Sequence, residues 1–80
     1  MYYVYVIKSP KQFYIGYTSD LKRRFSEHVN NKSIATKNRG PWKLVYYEAS
    51  LSNSDALHRE KYLKTAWGRR YLKQRIKNSL

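Results

Sequence analysis

The side chains of this chain that could do chemistry together are two tyrosines, an arginine, a histidine and one carboxylate. Leu21, Arg24, Phe25 and His28 follow i, i+3, i+4 and i+7, so two groups able to carry positive charge share a helix face with two apolar ones. A partly buried arginine demands an anion or an acceptor. Tyr5 and Tyr14 each sit in an apolar, strand-like run. Glu60 falls with Ala56, Leu63 and Trp67 at i, i+4, i+7 and i+11, a carboxylate inside an apolar stripe. The inventory suits phosphodiester hydrolysis. One carboxylate can hold Mg²⁺, and such a metal stabilises charge on phosphate oxygens. An arginine does the same, while a phenol or imidazole takes a proton from water. A tyrosine with an ordinary pKa near ~10 needs nearby positive charge for that task. Each residue also has a plainer reading. Tyr5 and Tyr14 can be a cross-strand pair, Arg24 can reach outward to solvent, and His28 can be a satisfied structural histidine. Glu60 can pair with one of seventeen cations.

These residues need elements to hold them. Tyr2–Ile7 reads as a strand, apolar on both alternating faces as a central strand is. Lys8–Lys11 is a turn containing Pro10, and Gln12–Tyr17 a second strand. If Ile7 and Gln12 close the hairpin, Tyr5 faces Tyr14 and Tyr3 faces Gly16. Two phenols then stand side by side, next to a glycine that leaves room. Thr18 or Ser19 caps the following helix, which has Asp20 in its first turn and runs to about Asn30. Asn30–Pro41 is a polar loop. Lys43–Ala49 is a third strand, and Ser52 with Asp55 resembles a capping box. A helix to about Trp67, a stop at Gly68 and a basic helix from Arg69 to Asn78 complete the chain. The order is ββαβαα, an α+β fold with a three-stranded antiparallel sheet flanked by helices, expected as one domain over residues 1–80.

Charge narrows the class of partner. Seventeen Lys and Arg against five Asp and Glu give +12, which attracts polyanions, nucleic acid above all. Cysteine is absent, which excludes disulfides and thiolate metal sites. The chain shows no run of 18 apolar residues and no leader pattern, so the expectation is a cytoplasmic protein that does not enter a membrane.

Tyr3–Val4–Tyr5, then Tyr14–Ile15–Gly16, then Arg24 eight residues beyond that glycine, His28 four further and Glu60 downstream form an ordered set. The set resembles the GIY-YIG nuclease family, and within it the small stand-alone members related to the N-terminal nuclease module of the UvrC excision-repair protein. The resemblance implies a metal-dependent DNA endonuclease, structure-selective in repair or recombination. It casts Tyr5 as the first motif tyrosine and general base, and Tyr14 as the second, bonded to water or phosphate. It places Arg24 on the phosphate and has His28 orient or activate a tyrosine. Glu60 would hold a single divalent metal, Mg²⁺ or else Mn²⁺, and Asn78 matches an asparagine near the end of many members. Two positions depart from the pattern. Tyr3 stands where the first motif has glycine. Tyr17 stands where repair-type members often carry lysine, so Lys22 or Arg24 must supply that charge, or His28 is the base. The choice among Tyr5, Tyr14 and His28 stays open at this level. Nucleic-acid contacts are expected from Gly16 beside the phenols, from Lys37 and Arg39 in the loop, and from Arg69, Arg70, Lys73 and Asn78 in the tail. Phosphate contacts of this kind give salt-sensitive, sequence-tolerant binding, to DNA foremost, with RNA also open. Two competing readings are a basic nucleic-acid-binding module with an idle site, and a small structural protein of a ribonucleoprotein.

Overall fold

A computed structural model describes residues 1–79. Strands β1 (Tyr2–Lys8), β2 (Phe13–Thr18) and β3 (Lys43–Ser50) form one antiparallel sheet in the order β2-β1-β3. The apolar character of β1 on both faces thus reflects its central place. Helix α1 (Leu21–Val29) lies between β2 and β3, and helices α2 (Asn53–Leu63) and α3 (Ala66–Arg75) follow, with a short 3₁₀ turn at Lys77–Ser79. The order is the expected ββαβαα.

The hairpin register differs from the sequence expectation by two residues. Lys8 pairs with Phe13, Tyr5 with Gly16 and Tyr3 with Thr18. The cause is Ser9. Its backbone N–H donates to the Gln12 carbonyl at 2.9 Å, and its buried hydroxyl accepts from the N–H groups of Lys11 and Gln12. The loop is therefore Ser9–Gln12. A two-residue slip keeps every side chain on its face, so Tyr5 and Tyr14 still share one.

The two faces of the sheet do different work. Val4, Val6 and Ile15 pack with Ala56, Leu63 and Leu72 of α2 and α3. Tyr5 and Ile7 point to the other side, where Trp42, Tyr14, Leu21, Phe25 and Leu44 surround them. A bulge on β3 makes Val45 the extra residue between the pairs Val6–Tyr46 and Ile7–Leu44.

The helix ends also depart in detail. Asp20, not Thr18 or Ser19, caps α1, its carboxylate accepting from Arg23 N–H at 3.1 Å. Thr18 turns inward and its hydroxyl receives the Asp20 N–H. Ser52 caps α2 as expected. Gly68 is no helix stop. The break comes at Lys64–Thr65, and Gly68 lies in the first turn of α3, where Thr65 caps its N–H. A Cβ on Gly68 would stand 2.1 Å from the Tyr62 carbonyl oxygen and 2.4 Å from Leu63 Cα. Glycine is required there so that α3 can turn tightly against the end of α2.

Candidate active site

Tyr5 projects from the middle strand, and its ring crosses directly over Gly16. A Cβ on Gly16 would lie 2.4 Å from both Cζ and the hydroxyl oxygen of Tyr5. The glycine is the groove in which the phenol lies. Helix α1 brings His28 to meet it: Tyr5 Oη and His28 Nε2 are 2.7 Å apart. The other imidazole nitrogen, Nδ1, is 2.6 Å from Thr36 Oγ1. Tyr5, His28 and Thr36 are all fully buried. Tyr14 completes the aromatic group, its ring centroid 5.1 Å from that of His28 and 6.4 Å from that of Tyr5.

Thr36 comes from the stretch between α1 and β3, which sequence treats as a solvated loop. It is instead folded. Lys32 N–H bonds to Glu27 O, Thr36 N–H to Ser33 O and Arg39 N–H to Thr36 O. The buried Trp42 indole donates to the Thr36 carbonyl at 3.2 Å. Asn31 and Asn38 adopt positive φ, the left-handed turn conformation asparagine tolerates. Thr36, Ser33 and Trp42 are site-supporting residues that sequence reasoning missed. The turn-forming asparagines and the isolated tryptophan were the available signals.

Arg24 sits on the same helix face as His28, one turn earlier, as the spacing requires. Its guanidinium donates to Glu27 at 2.8 Å and to the Ser33 hydroxyl at 3.1 Å. Burial pushes the Tyr5 phenol up to about 12, against the smaller opposing pull of the Arg24 charge. Burial holds His28 down to about 4, and the Arg24 cation acts in the same direction. The imidazole is thus neutral at physiological pH, with one nitrogen free to accept. Arg24 is held further into its charged form, first by Glu27, with smaller contributions from both tyrosines.

Glu60 approaches from elsewhere. It lies on α2, which covers the opposite face of the sheet, and its carboxylate pairs with Lys64 at 3.2 Å. Its charge still acts on Tyr5, as one of the influences raising that phenol. Among the described residues no group of three or more His, Asp or Glu side chains has metal-binding geometry. The remaining sequence candidates are spread over the surface. Lys37 and Arg39 are exposed on the loop, Arg69, Arg70 and Lys73 on α3, and Asn78 on the final turn. Tyr3 stands edge-on to Tyr47 and lines an open cleft with Leu21, Lys22 and Phe25. Tyr17 faces the other side, stacked on Tyr2 and hydrogen-bonded to Asn53.

The ordered tyrosines, arginine and histidine on this scaffold match a family model, the GIY-YIG catalytic domain, across residues 1–77. The chain belongs to the GIY-YIG family. Curated relatives are small proteins designated UPF0213, a name that carries no activity. One from Limosilactobacillus reuteri is 42% identical over 67 residues, covering 79% of this chain and 70% of the relative. Another, from Clostridium perfringens, is 39% identical over 66 residues, covering 80% and 71%. The solution NMR structure of the UPF0213 protein BH0048 from Bacillus halodurans superposes with a TM-score of 0.58 at 31% identity. That match spans 91% of this chain and 82% of the other. Tyr3–Tyr5, Tyr14–Gly16, Arg24, His28 and Glu60 all lie within the matched residues. No helix among the described residues is long and apolar enough to cross a membrane.

Proposed function

We propose that this protein is a divalent-metal-dependent endonuclease that hydrolyses DNA phosphodiester bonds, structure-selective in the manner of repair or recombination enzymes. The observation that carries the reading is the buried chain Tyr5–His28–Thr36. It gives a phenol an acceptor for its proton, beside a partly exposed cation, in a protein of +12 charge. Arg24 and Tyr14 are partly exposed and meet the substrate first. Arg24 turns from Glu27 and Ser33 to a phosphate oxygen, where its charge stabilises the transition state. Water then loses its proton to Tyr5 Oη while the phenol's own proton passes to His28 Nε2. This requires Nδ1–H to donate to Thr36, and a neutral imidazole, which burial secures. Tyr14 positions the water by its hydroxyl.

Glu60 suits a hard cation. It is a single carboxylate, partly exposed, whose ion-pair partner among the described residues is a flexible lysine side chain with 49% exposure. Mg²⁺ keeps most of its water and needs only one or two such ligands; Mn²⁺ fits the same donor. A metal held by Glu60 would supply Lewis-acid stabilisation of charge on phosphate oxygens.

The test is cleavage of single-stranded, duplex, flap and junction DNA, and of RNA, with Mg²⁺ or Mn²⁺. Metal-dependent cutting, reduced roughly 10²- to 10³-fold in Arg24→Ala and abolished in Glu60→Ala, supports the nuclease. The full burial of Tyr5 and the Glu60–Lys64 pair favour a second reading, a binding module with an idle site. Salt-sensitive binding in all three proteins with no cutting of any substrate would select it.

A further inference from the structure

The outer surface of α2 and α3 carries aromatic rings that the core does not use. Trp67 is 69% exposed, Tyr62 41% and Tyr71 37%. Cations interleave with them. The Arg59 guanidinium lies between two rings, 5.3 Å from the centroid of Tyr62 and 5.0 Å from that of Tyr71. The Arg70 guanidinium lies 5.6 Å from the Trp67 centroid. Trp67, Arg70 and Tyr71 share one face of α3, at i, i+3 and i+4. Trp67 and Tyr71 are thus one helical turn apart, about 5.4 Å along the axis.

The two cations differ in their bonding. Arg59 is fixed by a two-pronged hydrogen bond to Glu48, at 2.9 Å from both its Nε and its Nη2. Glu48 in turn accepts from Tyr46 at 2.7 Å. That half of the strip is a rigid, charge-balanced platform. Arg70 makes no ion pair among the described residues, and α3 itself holds no acid from Ala66 to Arg75. That half is an open positive surface around a tryptophan. Asp55 bounds the strip at the start of α2, beside His58 and Arg59.

We infer that the strip Tyr62–Arg59–Tyr71–Trp67–Arg70 binds the unpaired bases of a single-stranded nucleic acid. The choice of partner rests on charge and ring geometry together. Phosphates complement the free cations, and a large flat ring face is useful only to a base that is not already stacked in a duplex. A duplex would engage the cations and leave the rings idle. The inference deepens the proposed function and rests on its nucleic-acid partner, not on its chemistry. The substrate it specifies carries an unpaired stretch long enough to reach the α2–α3 surface, as flaps and frayed junctions do.

Binding is measured in EDTA, in a Glu60→Ala background, so that cleavage plays no part. The probes are an oligothymidylate and a blunt duplex of equal charge. Of the two tryptophans, Trp42 is buried against Thr36, so fluorescence quenching reports on Trp67. Oligothymidylate should quench it, and the duplex should not. Trp67→Ala should weaken oligothymidylate binding at least about 5-fold, the lower end of what stacking one base contributes. Duplex binding should stay within about 2-fold, and Trp67→Phe should recover most of the loss. Equal losses on both probes, or none on either, would overturn the inference. So would self-association that Trp67→Ala abolishes while oligothymidylate affinity is unchanged, which would assign the strip to a second copy of the chain. Failure of cleavage with this binding pattern intact would count against the nuclease alone.

Discussion

Acidification from pH 7 to about pH 5 should destabilise this protein through one residue, His28. Its imidazole is fully buried between Tyr5 and Thr36, and burial lowers its pKa from 6.5 to about 4. In the unfolded chain the ring takes a proton near pH 6.5; in the folded chain it refuses one until near pH 4. Between those values the unfolded state binds more protons, so stability rises with pH and is lost as pH falls. The whole gap corresponds to roughly 3 kcal/mol, of which about 2 kcal/mol has gone by pH 5. A domain of this size has only about 4–12 kcal/mol in total. The window lies above the range where Glu27 and Glu48 contribute: both carboxyls are held below their usual value, so their share is lost only at lower pH. Urea titrations followed by far-UV circular dichroism should show the midpoint falling by roughly 1–2 M between the two pH values. His28→Gln cannot take up the charge and should lose most of that dependence. An NMR titration of the His28 ring should show no protonation until near pH 4. Equal midpoints at pH 7 and pH 5, or an undiminished fall in His28→Gln, would refute the argument.

Two further substitutions probe the same site. Gly16→Ala places a methyl group inside the Tyr5 ring, so it should cost about 2–4 kcal/mol by overpacking and by loss of the Tyr5–His28 bond. Urea denaturation measures the cost, and the His28 NMR titration should shift as its partner moves. Thr36→Val keeps the backbone carbonyl that receives Trp42 but leaves His28 Nδ1 without its acceptor. It should cost about 1–3 kcal/mol and, if cleavage is present, lower its rate far more than it lowers nucleic-acid affinity.

The residues that sequence places well are those whose partners are close along the chain. The face Leu21–Arg24–Phe25–His28 follows from helical spacing alone. The shared face of Tyr5 and Tyr14 survives even a misjudged register, because the slip is even. The register itself depends on the Ser9 hydroxyl, a turn detail that the apolar pattern does not encode. The α2–α3 break is hidden for a related reason. Its mark is a glycine chosen for contact with the Tyr62 carbonyl, and a glycine near a helix end reads first as a stop. Thr36 is the least legible. Polar, loop-borne and eight residues from His28, it has no periodic signal, and only the folding of the loop around Trp42 buries it. Glu60 is visible as an acid in an apolar stripe, but its pairing with Lys64 is a plain i,i+4 contact.

The central position of β1 has a kinetic consequence. Only Ser9–Gln12 separate it from β2, and hairpins of this kind close in about 1–10 μs. Tyr5 can therefore lie over Gly16 almost at once. Its pairing with β3 joins residues far apart along the chain, and such pairings are slow. His28 arrives with α1, and Thr36 is fixed only when the stretch leading into β3 settles on Trp42. The hydrogen-bonded chain behind Tyr5 thus needs more than the local hairpin: it draws on α1 and on the stretch leading into β3. A copy with only the hairpin formed already has the net charge of +12 but lacks the His28 nitrogen that meets the Tyr5 hydroxyl.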